Sequence, residues 1–218
     1  MAADALQVAG LQGFKWPAIN LAISRTIRLR LADMMEATIY PRFAEPRLVE
    51  ALEDSPVVLI HGPRQCGKTT LARKVGKARG YDYFSFDDDV ALAAAQADPV
   101  GFVADLPDRA VLDEVQRAPG LFTALKAVVD RRRTPGRFIL TGSSARKLKR
   151  GKANLLPGRL HTYLLGPLVA SELGYAMNTQ EALATGTLPG IWTEPDPKER
   201  QKTLRSYAST YLKEEIQA

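Results

Sequence analysis

Five short apolar runs recur along the chain, and each ends in small or polar residues. They begin near Val57, Tyr83, Ala110, Phe138 and Tyr163. Runs of β-branched, aliphatic and aromatic residues of this length are typical of strands buried in a parallel sheet. Between them, apolar residues recur every three or four positions, as expected for helices that pack against the sheet on one side. The pattern predicts an α/β fold, a three-layer sandwich around a mostly parallel five-stranded core sheet.

The first run leads directly into a loop bounded by glycines. Residues 62–69 read Gly-Pro-Arg-Gln-Cys-Gly-Lys-Thr and match G-x-x-x-x-G-K-[ST] at every fixed position. A strand before the loop and a helix from Thr69 to about Ala78 supply the context that phosphate binding requires, so we expect a P-loop NTPase. Lys68 would reach the β- and γ-phosphates, and Thr69 would bind Mg²⁺. The residues expected to contact the nucleotide are Gly62, Pro63, Arg64, Gln65, Cys66, Gly67, Lys68, Thr69 and Thr70.

Two later runs end in side chains suited to phosphate hydrolysis. The third run ends in Asp113 and Glu114. Asp113 would bind Mg²⁺, directly or through water, and Glu114 would act as the general base on the attacking water. A carboxylate pair at a surface turn is the alternative. The fourth run ends near Thr141 and Ser143, which are candidates for sensing the γ-phosphate or orienting water.

Positive charge is concentrated in one part of the chain. The net charge is +6, but residues 131–171 contain ten Lys or Arg residues and no Asp or Glu. Such a segment predicts an anionic partner, either nucleotide phosphates or a nucleic acid. The ten residues are Arg131, Arg132, Arg133, Arg137, Arg146, Lys147, Lys149, Arg150, Lys152 and Arg159.

Arg159 differs from the other basic residues because a Pro-Gly turn precedes it. It leads into the last predicted strand, and we expect it near the nucleotide edge of the sheet. An arginine there could reach the γ-phosphate of a nucleotide bound to its own subunit or to a neighbour in a homo-oligomer. Such a contact can raise the rate of hydrolysis by ~10³–10⁵. Pairing with a carboxylate such as Glu172 is an equally weighted alternative.

The two ends of the chain carry no phosphate-binding pattern. Residues 1–34 are open to three interpretations: a leader before a true start at Met34 or Met35, an added helix, or a targeting peptide. Residues 35–175 are expected to form the P-loop NTPase domain. Residues 176–218 are expected to be a helical segment that begins a truncated C-terminal region.

The composition indicates the kind of compartment in which the protein is found. No apolar stretch approaches the roughly 18–20 residues that a membrane span needs. The single cysteine, Cys66, excludes an internal disulfide. This usage is typical of a reducing compartment and predicts a cytoplasmic protein without a membrane partner.

Five motifs in order give the chain a family resemblance. They are GPRQCGKTTLA, YFSFDD, VLDEVQRAPGLF, FILTGSS and LPGR. Together they resemble the predicted bacterial and archaeal ATPases of the AAA+ superfamily, in which an ATPase domain precedes a C-terminal domain of unknown function. The resemblance runs from about Thr38 to the C-terminus. It departs from the family at Cys66, where valine is usual, and in the near absence of the C-terminal domain.

The resemblance implies specific roles and a strand order. By position it assigns Lys68 and Thr69 to phosphate and Mg²⁺, Asp113 and Glu114 to metal and water, and Thr141 or Ser143 to sensing. It implies ATP as the nucleotide, and it places the strand that begins near Phe138 between the loop strand and the acidic strand.

Two functions from different classes follow from these patterns. The first is an Mg²⁺-dependent ATPase in which Glu114 is the catalytic base. The alternative is a nucleotide-operated module that binds nucleic acid through residues 131–159, with little or no turnover.

Overall fold

The sheet contains five parallel strands. The computed structural model of the protein describes residues 40–143 and 158–216, with side chains as far as residue 211. The strands are β1 (Val57–His61), β2 (Asp82–Ser85), β3 (Ala110–Asp113), β4 (Phe138–Gly142) and β5 (Leu160–Leu164). They are ordered β2-β3-β4-β1-β5, and every neighbouring pair is parallel. The predicted α/β fold with a parallel five-stranded sheet is therefore confirmed.

In the described residues, helices precede β1, follow β5 and lie between most of the other strands. They are α1 (Ala44–Asp54), α2 (Lys68–Ala78), α3 (Asp89–Ala97), α4 (Pro99–Ala104), α5 (Leu121–Arg131), α6 (Thr179–Thr185), α7 (Pro189–Trp192) and α8 (Pro197–Ile216). Local sequence sets several of their starts. The Asp88 carboxylate accepts the N–H groups of Val90 and Ala91 at the start of α3. Pro99 occupies the first turn of α4, where a missing N–H costs nothing.

Alternation along β1 divides the core into two layers. Val57 and Leu59 pack with residues of α3, α4 and α5 on one face of the sheet. Val58 and Ile60 pack with residues of α1 and α2 on the other face. Successive side chains of a strand point to opposite faces, so four apolar residues in a row bury β1 on both sides. This gives the predicted three-layer sandwich.

The strand order brings the chemical motifs to one edge. Strand β4 lies between β1 and β3, which confirms the order that the family resemblance implied. Because all the strands are parallel, the phosphate loop after β1, the carboxylates at the end of β3 and the polar end of β4 share the carboxyl edge of the sheet.

Strand β5 begins at Leu160, three residues before the predicted start near Tyr163. Of the basic residues singled out in the sequence, Arg146, Lys147, Lys149, Arg150 and Lys152 lie outside the described residues. Residues 1–34, with their three interpretations, do so as well. No helix in the described part of the chain is both long and apolar enough to cross a membrane.

Candidate nucleotide-binding site

Two glycines shape the loop between β1 and α2. Gly67 has φ +93°, in the left-handed region that favours glycine, and α2 begins at the next residue. Gly62 has φ +154°, and a Cβ there would lie 2.0 Å from the carbonyl oxygen of Leu165. The chain after β5 passes this close because the Leu165 N–H donates to the His61 carbonyl, 2.8 Å away. A side chain at position 62 would therefore displace the loop.

Lys68 is the buried cation of the loop. The residue is only 4% exposed, and its Nζ donates to the Pro63 carbonyl at 2.7 Å. The ammonium group therefore lies across the loop, on the side where a phosphate would sit. A buried charge is stabilised by an anionic partner, which a nucleotide phosphate supplies.

Asp113 accepts hydrogen bonds from hydroxyl groups on three different elements. Thr69 Oγ1 lies 3.0 Å from both carboxylate oxygens, and the Tyr83 hydroxyl lies 2.6 Å from Oδ2. The Thr141 hydroxyl donates to Oδ1. The register explains this arrangement, since Ser85 lies opposite Asp113 and Tyr83, two residues earlier on β2, points to the same face. The carboxylate, at the end of β3, is held in one orientation.

The oxygen atoms of Thr69 and Asp113 fit Mg²⁺, which prefers hard oxygen ligands. In residues 40–143 and 158–216, no group of three His, Cys, Asp or Glu side chains forms a metal site from protein ligands alone. A nucleotide-bound Mg²⁺ does not require one, because phosphates and water supply most of its ligands. The donor set therefore suits a metal that arrives with the nucleotide.

Glu114 turns away from the strand and into the site. Its backbone is left-handed, with φ +57°, which is uncommon for a residue with a side chain. The Glu114 N–H donates to Thr141 Oγ1 at 3.1 Å. The carboxylate accepts from the side-chain amide of Gln116, and the same amide donates to Ser143 Oγ at 3.1 Å. Thr141 thus holds both acidic residues, and Gln116 joins Glu114 to Ser143.

A cavity of about 970 Å³ opens over the loop, large enough for a nucleotide. Eight of the residues predicted for the site line it: Arg64, Gln65, Gly67, Lys68, Thr69, Thr70, Glu114 and Ser143. Asp113 and Thr141 are buried and contact these lining residues.

The C-terminal helices supply another wall of the cavity. Pro189 and Gly190 of α7 and Thr203 of α8 line it. The Tyr207 hydroxyl, also on α8, donates to the Arg64 carbonyl at 3.3 Å. These helices therefore lie directly against the phosphate loop.

The structure does not bring Arg159 to this cavity. Leu160 pairs with Val57 at the start of β1, so Arg159 lies at the amino edge of the sheet, opposite the nucleotide edge where we expected it. We expected the strand to begin near Tyr163, whereas β5 begins at Leu160, directly after Arg159. The guanidinium pairs with Asp130 of α5. The alternative partner, Glu172, pairs with Arg42 instead.

Two side chains outside the set of predicted site residues support the site. Burial raises the pKa of the Tyr83 phenol, and its hydrogen bond to Asp113 adds to the increase, so it is a neutral donor at neutral pH. The Arg73 guanidinium lies 3.9 Å from the centroid of the Tyr83 ring. Arg42 donates to the Cys66 carbonyl at 2.6 Å. The partners of Arg42 and Tyr83 are far from them in the sequence, so spacing along the chain does not identify them.

Cys66 packs inward from the loop. Its side chain is fully buried in the layer that contains Leu71 and Ala72 of α2. Burial raises the pKa of the Cys66 thiol above its ordinary value. The thiol is thus a core side chain.

The fold and the site define a P-loop ATPase domain of the AAA type. The family model for the AAA domain matches residues 54–174, more than half of the 218 residues, and the chain belongs to this family.

The chain is also similar to two curated proteins and to a solved structure. Uncharacterized proteins from Mycobacterium bovis and Mycobacterium tuberculosis are each 33% identical over 200 residues, which make up 92% of this chain and 45% of each relative. The chain therefore spans less than half the length of these curated relatives. The solved structure of the Walker-type ATPase PABY2304 of Pyrococcus abyssi has a TM-score of 0.56 at 16% identity, covering 84% of this chain and 76% of that one. This likeness shows a shared fold.

Proposed function

We propose that this chain binds ATP with Mg²⁺ and hydrolyses it. One observation carries the proposal: the Thr69 hydroxyl lies 3.0 Å from both oxygens of Asp113, although the two residues are 44 positions apart. A loop threonine and an acidic strand end that meet in this way form the metal-binding half of a phosphoryl-transfer site. The metal, when bound, neutralises charge that develops on the phosphates.

Each side chain has a role in the proposed reaction. Lys68 and the loop N–H groups hold the phosphates in place. Glu114 accepts a proton from water as the water oxygen attacks the γ-phosphorus and the bond to ADP breaks. Thr141 holds Asp113 and the Glu114 backbone. Ser143, which lines the cavity, is the candidate for sensing the γ-phosphate through Gln116.

Steady-state hydrolysis tests this function. The Glu114→Gln variant keeps the shape of the side chain and removes the base. We expect it to bind ATP as the wild type does but to hydrolyse it at least ~10²-fold more slowly. Glu45→Gln is the matched control, because Glu45 lies on α1 in an ion pair with Lys74. Wild-type hydrolysis that persists without Mg²⁺, or an equal loss of binding and hydrolysis in Glu114→Gln, would contradict the assigned roles.

The charge distribution favours a second candidate, a nucleotide-operated module that binds nucleic acid. Residues 131–159 contain ten basic and no acidic residues. Replacing Arg146, Lys147, Lys149 and Arg150 with Gln should abolish salt-sensitive DNA binding and leave hydrolysis intact. If the wild type does not bind DNA at low salt, this candidate is wrong. We also propose, for either function, that the protein is cytoplasmic and that copies of the chain assemble into a homo-oligomer.

A further inference from the structure

Arg42 contacts the phosphate loop from a position outside the matched family domain. It lies just before α1, whereas the family match begins at residue 54. Its side chain is 9% exposed and donates to three acceptors at once. These are the carbonyls of Cys66 at 2.6 Å and Gly166 at 2.7 Å, and Glu172 Oε1 at 3.1 Å. A guanidinium can make such a set because its donors form a rigid fork.

The contact with Cys66 fixes one of the loop's N–H groups. The Cys66 carbonyl and the Gly67 N–H belong to the same peptide unit, which is planar and trans. In a trans peptide the carbonyl and the N–H point in opposite directions. Since Arg42 holds the carbonyl on the outer side of the loop, the Gly67 N–H is directed to the inner side. A charged donor on the carbonyl also polarises the peptide and strengthens its N–H as a donor.

The neighbouring groups hold Arg42 in place. Glu172 accepts from the backbone N–H groups of Phe43 at 2.9 Å and Val169 at 3.2 Å, in addition to Arg42. Both partners of the ion pair are nearly buried, with side chains 9% and 5% exposed. At Gly67, a Cβ would lie 3.4 Å from Arg42 Nη1. The guanidinium therefore closes the outer side of the loop and leaves the inner side for a ligand.

We propose that Arg42 is a positioning residue that presents the Gly67 N–H to the diphosphate shared by ADP and ATP. The proposal rests on the proposed nucleotide binding. It assigns Arg42 no contact with the nucleotide and no part in the chemical step. Its loss should therefore weaken ADP and ATP binding equally and leave turnover at saturating ATP near the wild-type rate.

The test compares Arg42→Lys and Arg42→Gln with Glu172→Gln, a control that changes the ion-pair partner of Arg42. Arg42→Lys keeps the charge but cannot reach all three acceptors in the same geometry. Both variants should bind N-methylanthraniloyl-ADP and ATP roughly tenfold more weakly, as expected for the loss of one charge-assisted hydrogen bond. KM for ATP should rise by a similar factor with little change in kcat. Glu172→Gln, which keeps the carbonyl contact, should lower the melting temperature without this loss of affinity.

The affinities of these variants decide whether Arg42 positions the loop for nucleotide binding. Wild-type affinity in both Arg42 variants overturns the proposal. Losses of affinity in Glu172→Gln as large as in the Arg42 variants also overturn it, because Arg42 would then only stabilise the fold. Should the single variants not fold, the double variant Arg42→Met, Glu172→Met removes both buried charges together, and normal nucleotide affinity in it would overturn the proposal. A wild type that binds neither nucleotide refutes the proposed function as well.

Discussion

The hydroxyl of Tyr83 lies 2.6 Å from Oδ2 of Asp113. Tyr83 is on β2 at one end of the strand order, and Asp113 ends the neighbouring strand β3. A phenol is protonated at neutral pH and the pKa of Tyr83 is raised further by burial, so the tyrosine donates and the carboxylate accepts. Tyr83 thus joins Thr69 and Thr141 in holding the proposed metal-binding carboxylate. A partner of this kind orients a metal ligand without touching the metal.

Removing this hydroxyl should weaken metal binding more than nucleotide binding. In Tyr83→Phe, the Mg²⁺ concentration that gives half-maximal hydrolysis should rise by about tenfold, while affinity for ADP in the absence of metal stays unchanged. The measurement is ATP hydrolysis across a Mg²⁺ titration. Tyr81→Phe is the matched control, since the Tyr81 hydroxyl donates to the Gly136 carbonyl. If both variants keep the wild-type Mg²⁺ dependence, Tyr83 serves only in packing.

Lys68→Ala should abolish nucleotide binding. The substitution removes the buried charge that lies across the loop, and the phosphates then lose their principal cationic partner. Titration with N-methylanthraniloyl-ADP measures the effect, which should exceed about a hundredfold. Lys74→Ala on the same helix is the control, because Lys74 is exposed and pairs with Glu45. Near-wild-type affinity in Lys68→Ala would refute the assignment of the loop.

The Cys66 thiol should react slowly in the folded protein. It is fully buried, and burial raises its pKa, so the reactive thiolate is scarce at pH 8 compared with an exposed thiol. Labelling with a thiol reagent should therefore be at least about tenfold slower in native than in urea-unfolded protein. The chain has one cysteine, so the signal reports this site alone. Equal rates in the two states would contradict the observed packing of the loop.

Arg159→Ala should leave hydrolysis within about twofold of wild type if Arg159 acts only within its own chain. Its guanidinium pairs with Asp130 at the amino edge of the sheet, and the pair is partly exposed. The free energy of unfolding should fall by less than about 1 kcal/mol. Asp130→Asn should lower the free energy of unfolding by a similar amount. A large fall in hydrolysis for Arg159→Ala alone would instead support the expectation that Arg159 reaches the nucleotide of a neighbouring subunit.

Elements with a local signal could be predicted from the sequence. The apolar runs predicted the starts of β1, β3 and β4, because a strand buried on both faces has few polar positions. The glycines and Lys68 predicted the phosphate loop, and the structure adds that the backbone at Gly67 is left-handed. Strand β5 was harder to predict. It is an edge strand whose residues His161 and Thr162 are exposed and polar, so its apolar pattern begins only near Tyr163.

Contacts between distant elements could not be predicted in the same way. The sequence marks Thr141 and Ser143 as candidates for sensing phosphate, but it does not show that Thr141 is buried and donates to Asp113. Arg42, just before α1, and Tyr83, on β2, support the site because of how the strands and helices are ordered in space. Spacing along the chain carries no information on such partners when they lie 24 or 30 residues apart.

The wall that α7 and α8 contribute to the cavity has a thermodynamic consequence. Pro189, Gly190 and Thr203 lie beyond residue 174, where the family match ends, yet a nucleotide in the cavity must share space with them. If a molecule bound the C-terminal helices and shifted this wall, nucleotide affinity would therefore change. By linkage, the nucleotide would alter the affinity for that molecule by the same factor. Each would then be an effector of the other, and the hydrogen bond from Tyr207 to the Arg64 carbonyl joins α8 to the phosphate loop.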